Sequence, residues 1–354
     1  MIVSMAIDSE VSGEEKGKSM NELRLKVFLS LWVFFGALPL ARAADDPLVE
    51  AARREGQVVL YASMNIAEAK TTIDKFEERY PFVKVNLNRS GSEKLLTRVL
   101  TEARAQKSMA DVIQTVEFSM HVFHRNGLLA RYVPPEDGLY PKEFKEEGFW
   151  TTVYYNPYVT AYNTNRVAPD KVPKTYEDLL DPKWKGQLMM EGTKADWFAG
   201  MLQIMGRERG LRYMRALAAQ KPMLREGHAL LAQLVAAGEG AMDINIPASS
   251  VDRLKDKGAP IEWISLGVAP AIMVGIGLSA EAPHPHAAKL FINFMLSQEA
   301  QKLMQSFGRL VARTDLKPEQ PGSAREVNFM PVNPALAEKM KEYATLLRAI
   351  FGGA

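Results

Sequence analysis

"QVVLYASMNIAEAKTTIDKFEERYPFVKVNLNRSGSEKLLTRVLTEARAQ", residues 57–106, decides the fold. Its first segment, VVLYA, is almost wholly apolar, the pattern of a strand buried on both faces. After Asn65, the residues Ile66, Ala69, Ile73 and Phe76 recur at helical spacing until Pro81 closes the segment. VKVNLN alternates as a second strand. Ser92 then reads as the N-cap of a helix that carries Leu95, Leu96, Val99 and Leu100. ADVIQT, residues 110–115, supplies a third strand. Strand–helix units in succession build a parallel sheet covered by helices on both faces, so the fold class is α/β.

Downstream, residues 150–165 (WTTVYYNPYVTAYNTN) are rich in β-branched and aromatic side chains, long for one strand and interrupted at Pro157. They read as a strand leaving the first lobe. A loop, the short strand QLMME and helices near 197–206, 208–219 and 228–237 follow, then the strand AMDINIP. Residues 261–279 read as a return to the first lobe, and 284–308 as one long helix with Ala288, Phe291, Ile292, Met295 and Leu296 in a stripe. A final helix is expected near 333–349.

The chain has 354 residues, room for two lobes with separate cores. Lys and Arg number 44 against 42 Asp and Glu, and a net charge of +2 gives no field for gathering nucleic acid. There are no cysteines, which excludes disulfides, thiolate metal sites and cysteine nucleophiles. At the amino end, Arg24 and Lys26 precede a 14-residue apolar run and the A-x-A triplet at Ala41–Ala43. That order describes a secretory leader, residues 1–43, cut before Ala44, with Met20 as an alternative start. The run is shorter than the roughly 20 residues a spanning helix needs.

Catalytic signatures are scarce: no phosphate-loop sequence, no H-E-x-x-H and no G-x-S-x-G. The chain is therefore expected not to be an enzyme and to need no cofactor. His121 and His124 have the i,i+3 spacing of a metal pair, but no carboxylate pattern completes a site. What recurs is a strand end running into small or polar residues at a helix start, which offers free N–H groups to a ligand at the carboxyl edge of a sheet. Four such turns without a catalytic set point to binding without chemistry.

Together with GLLARY (127–132), TAYNTN (160–165), PKTYEDLLDPKWKGQL (173–188), the Gly238–Glu239 pair and AAKLFINFMLSQEAQKLM (287–304), these segments resemble the ferric-type solute-binding proteins of ATP-binding-cassette importers. The resemblance implies a two-lobe, type II periplasmic binding fold, each lobe a mostly parallel sheet flanked by helices, joined by crossing strands. On that template residues 44–157 begin lobe 1, 158–262 form lobe 2, 263–312 return to lobe 1, and 313–354 form a helical tail on lobe 2 or across the hinge. It implies a periplasmic receptor that delivers a small ligand to permease subunits, and the docking of both lobes on the importer argues for a monomer.

Iron-binding members of that family hold Fe³⁺ with a histidine, a glutamate and two adjacent tyrosines. Matched by motif, the histidine falls at Asn65, the glutamate near Val116 with Glu117 one residue away, and the tyrosine pair at Ala248 and Ser249. An alanine methyl and a serine hydroxyl are not the hard anionic ligands Fe³⁺ needs. The pocket is expected to be lined by Asn65, Gly91, Ser92, Thr115, Glu117, Tyr155, Thr193, Lys194, Asp196, Trp197, Arg225, Ala248 and Ser249, with no metal. Arg225 and Lys194 make a small organic anion the expected ligand. Two alternatives stand: iron held by Glu117, Tyr155 or Tyr158 with a bound anion, and a secreted enzyme on a similar scaffold.

Overall fold

The computed structural model describes residues 46–317 and 328–352. The expected leader and its cleavage point lie outside the described residues, as does part of the tail. No helix among the described residues is long and apolar enough to cross a membrane.

In the first lobe, helix α1 (Pro47–Glu55) leads into β1 (Gln57–Ala62), α2 (Ile66–Arg79), β2 (Lys84–Arg89), α3 (Ser92–Arg104), β3 (Val112–Val116) and α4 (Glu117–Arg125). β1 lies parallel to both β2 and β3. Of the apolar residues picked out by helical spacing, Ala69, Ile73 and Phe76 on α2 and Leu95 and Val99 on α3 are buried, Leu96 and Leu100 pack partly against the core, and Ile66, at the exposed start of α2, is 57% exposed. Gly91, not Ser92, is the N-cap of α3, and Ser92 is its first helical residue. Gly91 makes no side-chain cap, so the first amides of α3 lack the usual hydroxyl partner.

A two-residue strand, β4 (Lys145–Glu146), precedes β5 (Trp150–Asn163), which Pro157 does not break. The second lobe adds β6 (Leu188–Glu191), α5 (Ala195–Met205), α6 (Arg207–Ala219), β7 (Met223–Arg225), α7 (His228–Ala237), β8 (Met242–Pro247), α8 (Ala248–Lys255) and β9 (Ile261–Ile264). The chain returns through β10 (Ala269–Leu278), α9 (Pro285–Leu296) and α10 (Gln298–Ser306), and ends with β11 (Phe329–Pro331) and α11 (Met340–Phe351).

β5 belongs to both lobes. From Thr151 to Pro157 it runs antiparallel to β10, which itself pairs with β3. From Tyr158 onward it pairs with β8 and β9, and β8 continues parallel to β6 and β6 to β7. At the exchange Pro157 stands opposite Ala271 and Tyr158 opposite Pro247. Proline is tolerated there because the ladder changes partner at that point and needs no N–H from it. Close to the exchange, the β5–β10 register shifts at Val274/Gly275. A Cβ on Gly275 would stand 2.6 Å from the Trp150 ring, so only glycine lets the indole lie flat on the strand.

The cores follow this division. One cluster, built on Phe76, Phe123, Trp150, Phe291 and Phe294, fills the first lobe. Two others cover opposite faces of the second sheet, one around Phe198, Met201, Met214 and Leu217, the other around Leu231, Val235, Ile246 and Val251. The expected long helix is two helices, α9 and α10, parted at Ser297, whose hydroxyl caps α10 by accepting from the Ala300 amide. Its stripe is buried as read. In the tail, β11 pairs with β10, and α11 seats Tyr343 and Leu347 in the second lobe's core.

Candidate functional site

Helix starts from both lobes meet at the carboxyl ends of the strands. Two groups of polar side chains occupy this junction, and each draws on elements far apart in sequence.

The first group centres on Arg309, which follows α10 and is 9% exposed. Its Nη2 donates to both carboxylate oxygens of Glu68 on α2, at 3.0 and 2.9 Å, and Nε donates to Oε2 at 3.1 Å. Nη1 donates to Asn156 Oδ1 and to Ser249 Oγ, each at 3.0 Å. The guanidinium lies over the Tyr154 ring, 4.8 Å from its centroid. Arg253 of α8 stands 3.6 Å from Glu68 and donates to Ser250 at 3.4 Å. A charged network thus fills the ground between Asn65, which caps α2 by accepting from the Ala67 amide, and Ser249 at the start of α8.

The second group is acidic. Glu117 opens α4 and is wholly buried, and neither carboxylate oxygen makes a regular hydrogen bond. Burial drives its pKa well above the ordinary carboxylate range, and Asp196 adds to the rise, although the nearby Glu117 and Met273 amides favour the anion. Asp196, in the first turn of α5, accepts from the Trp197 amide at 2.8 Å and from the Tyr158 hydroxyl at 3.3 Å. Its pKa is raised by burial, against the pull of Lys194. Tyr158 is held well above its usual range by burial and by Asp196, Glu117 and Glu191.

Lys194 is the cation of this group, 3.6 Å from Glu191. Burial works against its charge, but Asp196, Glu191 and, from the first lobe, Glu93 outweigh it and keep its pKa raised. Thr193 donates to Glu191 through both its amide and its hydroxyl, at 3.0 and 2.8 Å. His228, at the start of α7, lies 5.7 Å from the Tyr158 ring, and neither of its nitrogens has a partner. Burial, then Lys194, pushes it down to about 3, so its imidazole is neutral. Deeper still, burial pushes the wholly buried Asp243 up to about 7, and its Oδ2 has no partner.

Of the residues expected in the pocket, Glu117, Lys194 and Asp196 join this acidic group, with Thr193 bound to its Glu191. Thr115 is buried on β3 with its hydroxyl unpartnered. Gly91 and Ser92 start α3, one position before Glu93. Ala248 and Ser249 are buried in the first turn of α8. Tyr155 packs between Phe144 and Phe329, and burial alone pushes its hydroxyl up to about 12. Trp197 lies 2% exposed in the second lobe's core. Arg225 is exposed, donates to the neighbouring Leu224 carbonyl, and borders a cavity of about 250 Å³ with Thr193 and with Arg348 of α11.

Arg309, Glu68, Asn156 and His228 were not expected. Only His228 had a signal in the sequence, its place after Gly227 at a helix start. Among the described residues no three of His, Asp and Glu already stand at metal-ligating distance.

Residues 71–331 match the model of a family described as bacterial extracellular solute-binding protein. The chain belongs to that family. Its members bind solutes outside the cytoplasm. Iron uptake protein A1 of a Synechocystis strain is 24% identical over 323 residues, which cover 80% of this chain and 85% of that one. A probable ABC transporter periplasmic-binding protein, y4fP, of Sinorhizobium fredii is 24% identical, covering 73% and 77%. Among solved structures, iron-bound HitA from Pseudomonas aeruginosa superposes with a TM-score of 0.74 at 22% identity, over 83% of this chain and 99% of that one. The solute-binding protein is thus a receptor of the type that serves ABC importers, with the type II periplasmic fold.

Proposed function

We propose that this receptor captures a hard, multiply charged cation of the ferric type, held by Glu117, Asp196 and Tyr158. The observation that carries this is the Glu117 carboxylate, buried with both oxygens unpartnered, with the half-buried Asp196 carboxylate and the buried Tyr158 phenol close enough to act on it. An anion so placed is costly until a cation arrives. Two carboxylates and one phenolate carry three negative charges, the complement of Fe³⁺, and all three donors are hard oxygens. Neutral His228 adds a nitrogen on the same side. Iron uptake in the name of a relative at 24% identity supports this choice of cargo.

The small organic anion expected from Arg225 and Lys194 has less support. Arg225 is exposed and turned to its own backbone, and Lys194 is already faced by Asp196, Glu191 and Glu93. The deciding experiment adds ferric citrate to purified, metal-stripped receptor and records the visible spectrum and the bound-metal stoichiometry. A phenolate-to-iron charge-transfer band at one iron per chain supports the proposal. A colourless protein that takes up no iron, while a carboxylate or phosphate raises its melting temperature, returns the cargo to the organic anions.

A further inference from the structure

We infer that Arg309 is a resident tie between the lobes, a cation supplied by the chain itself that biases the receptor toward closure. The tie does not depend on which cargo the acidic group takes. Arg309 is anchored on the first lobe by its multiple bonds to Glu68 and by Leu310, whose carbonyl accepts from the Tyr155 amide at 2.8 Å. From there it reaches Ser249 in the first turn of α8, in the second lobe. Arg253 makes the reverse crossing, from α8 to Glu68. Asn156, which shares Nη1 with Ser249, sits one residue before the prolyl point where β5 changes sheets.

Parting the lobes keeps the Arg309–Glu68 pair whole, because both partners travel together. What is lost is the Arg309–Ser249 hydrogen bond, the weak 3.5 Å bond from Ser249 to Asn156 and the looser Arg253–Glu68 contact. Loss of one hydrogen bond from a charged donor corresponds to a shift of roughly tenfold or more in an equilibrium. A bias of that size lies within what cargo contacts can add to or a permease can overcome. Ser249 is thus a positioning residue: it receives the tie, and its hydrogen bonds are to Arg309 and Asn156.

The full ligand-free receptor tests this, because the chain has no cysteine. Lys94→Cys on α3 and Ala229→Cys on α7, both exposed, allow a dye pair to be placed on the two lobes. Single-molecule energy transfer then counts open and closed molecules. Ser249→Ala should raise the open-to-closed ratio about tenfold or more, and Ser249→Ala/Arg253→Gln further, with melting temperatures close to the parent. Arg309→Lys, which keeps the charge but not the fork, should behave like Ser249→Ala. A ligand-free parent that is fully open, or populations unchanged in all three variants, would overturn the inference.

Discussion

The Tyr158 hydroxyl donates to Asp196 Oδ2 at 3.3 Å, joining the crossing strand to the first turn of α5 within a ring of carboxylates. The bond is long, and the hydroxyl that donates it carries a proton that a metal would displace. Tyr158→Phe should therefore abolish any charge-transfer band with ferric salts and weaken cargo binding by at least tenfold. Folding stability should change by about 1 kcal/mol or less, the net worth of one such bond. Titration calorimetry and urea unfolding on the same preparation separate the two effects.

Glu117 and Asp196 both have raised pKa values, so protons compete with a cation for the same oxygens. Cargo affinity should fall as the pH is lowered, and binding near neutrality should release protons, measurable as a buffer-dependent enthalpy. Glu117→Gln should bind more weakly and lose part of that proton release. It should also be more stable than the parent at pH 7 by about 1 kcal/mol, since a strained buried acid is gone. A Glu117→Gln variant that binds normally would exclude this carboxylate from the site.

For Asp243 the pH effect falls on stability. Its folded pKa is about 7 against an ordinary 3.8, so the folded chain holds a proton that the unfolded chain gives up. The associated stability is complete below 3.8 and is lost as the pH rises toward 7, at a slope of at most about 1.4 kcal/mol per pH unit. Unfolding in urea at a series of pH values should show a shallower slope in Asp243→Asn than in the parent, the remainder coming from Glu117 and Asp196.

Arg313 holds the loop after α10 by donating to the Leu296 carbonyl at 2.8 Å and to both oxygens of Asp315 at 2.7 and 3.0 Å, with Glu136 as a further partner. The side chain is 5% exposed. Arg313→Ala should cost about 1–2 kcal/mol of unfolding free energy, because it removes one donor from the Leu296 carbonyl, which keeps the Tyr140 hydroxyl, and an ion pair whose carboxylates solvent can reach. A melting temperature equal to that of the parent would refute this.

The alternation of β1, α2, β2, α3 and β3 was legible because periodicity reports burial directly: a strand covered on both faces must be apolar, and a helix covered on one side must repeat. The break at Ser297 was written in the sequence as a cap inside an apolar repeat, but the unbroken stripe on either side masked it. Glu117 was legible as the residue after a strand. Arg309 was not, since its partners lie 241, 153 and 60 residues away on three different elements. No local pattern marks an arginine that only tertiary folding brings to Glu68. Tyr155 and Tyr158 are three positions apart on one strand and point to opposite environments, one aromatic and one acidic, because side chains alternate across a sheet.

The prolines at 157 and 247 have a mechanical consequence. Both stand where β5 exchanges one sheet for the other, and neither carries an amide hydrogen to lend to a neighbour. A swing of the lobes about this point can leave the ladders on either side intact, because the backbone there has fewer hydrogen bonds to rupture. Deuterium uptake by the flanking amides should stay slow in open and closed molecules alike. The chain thus crosses between the sheets at two residues that lend no amide hydrogen to either ladder.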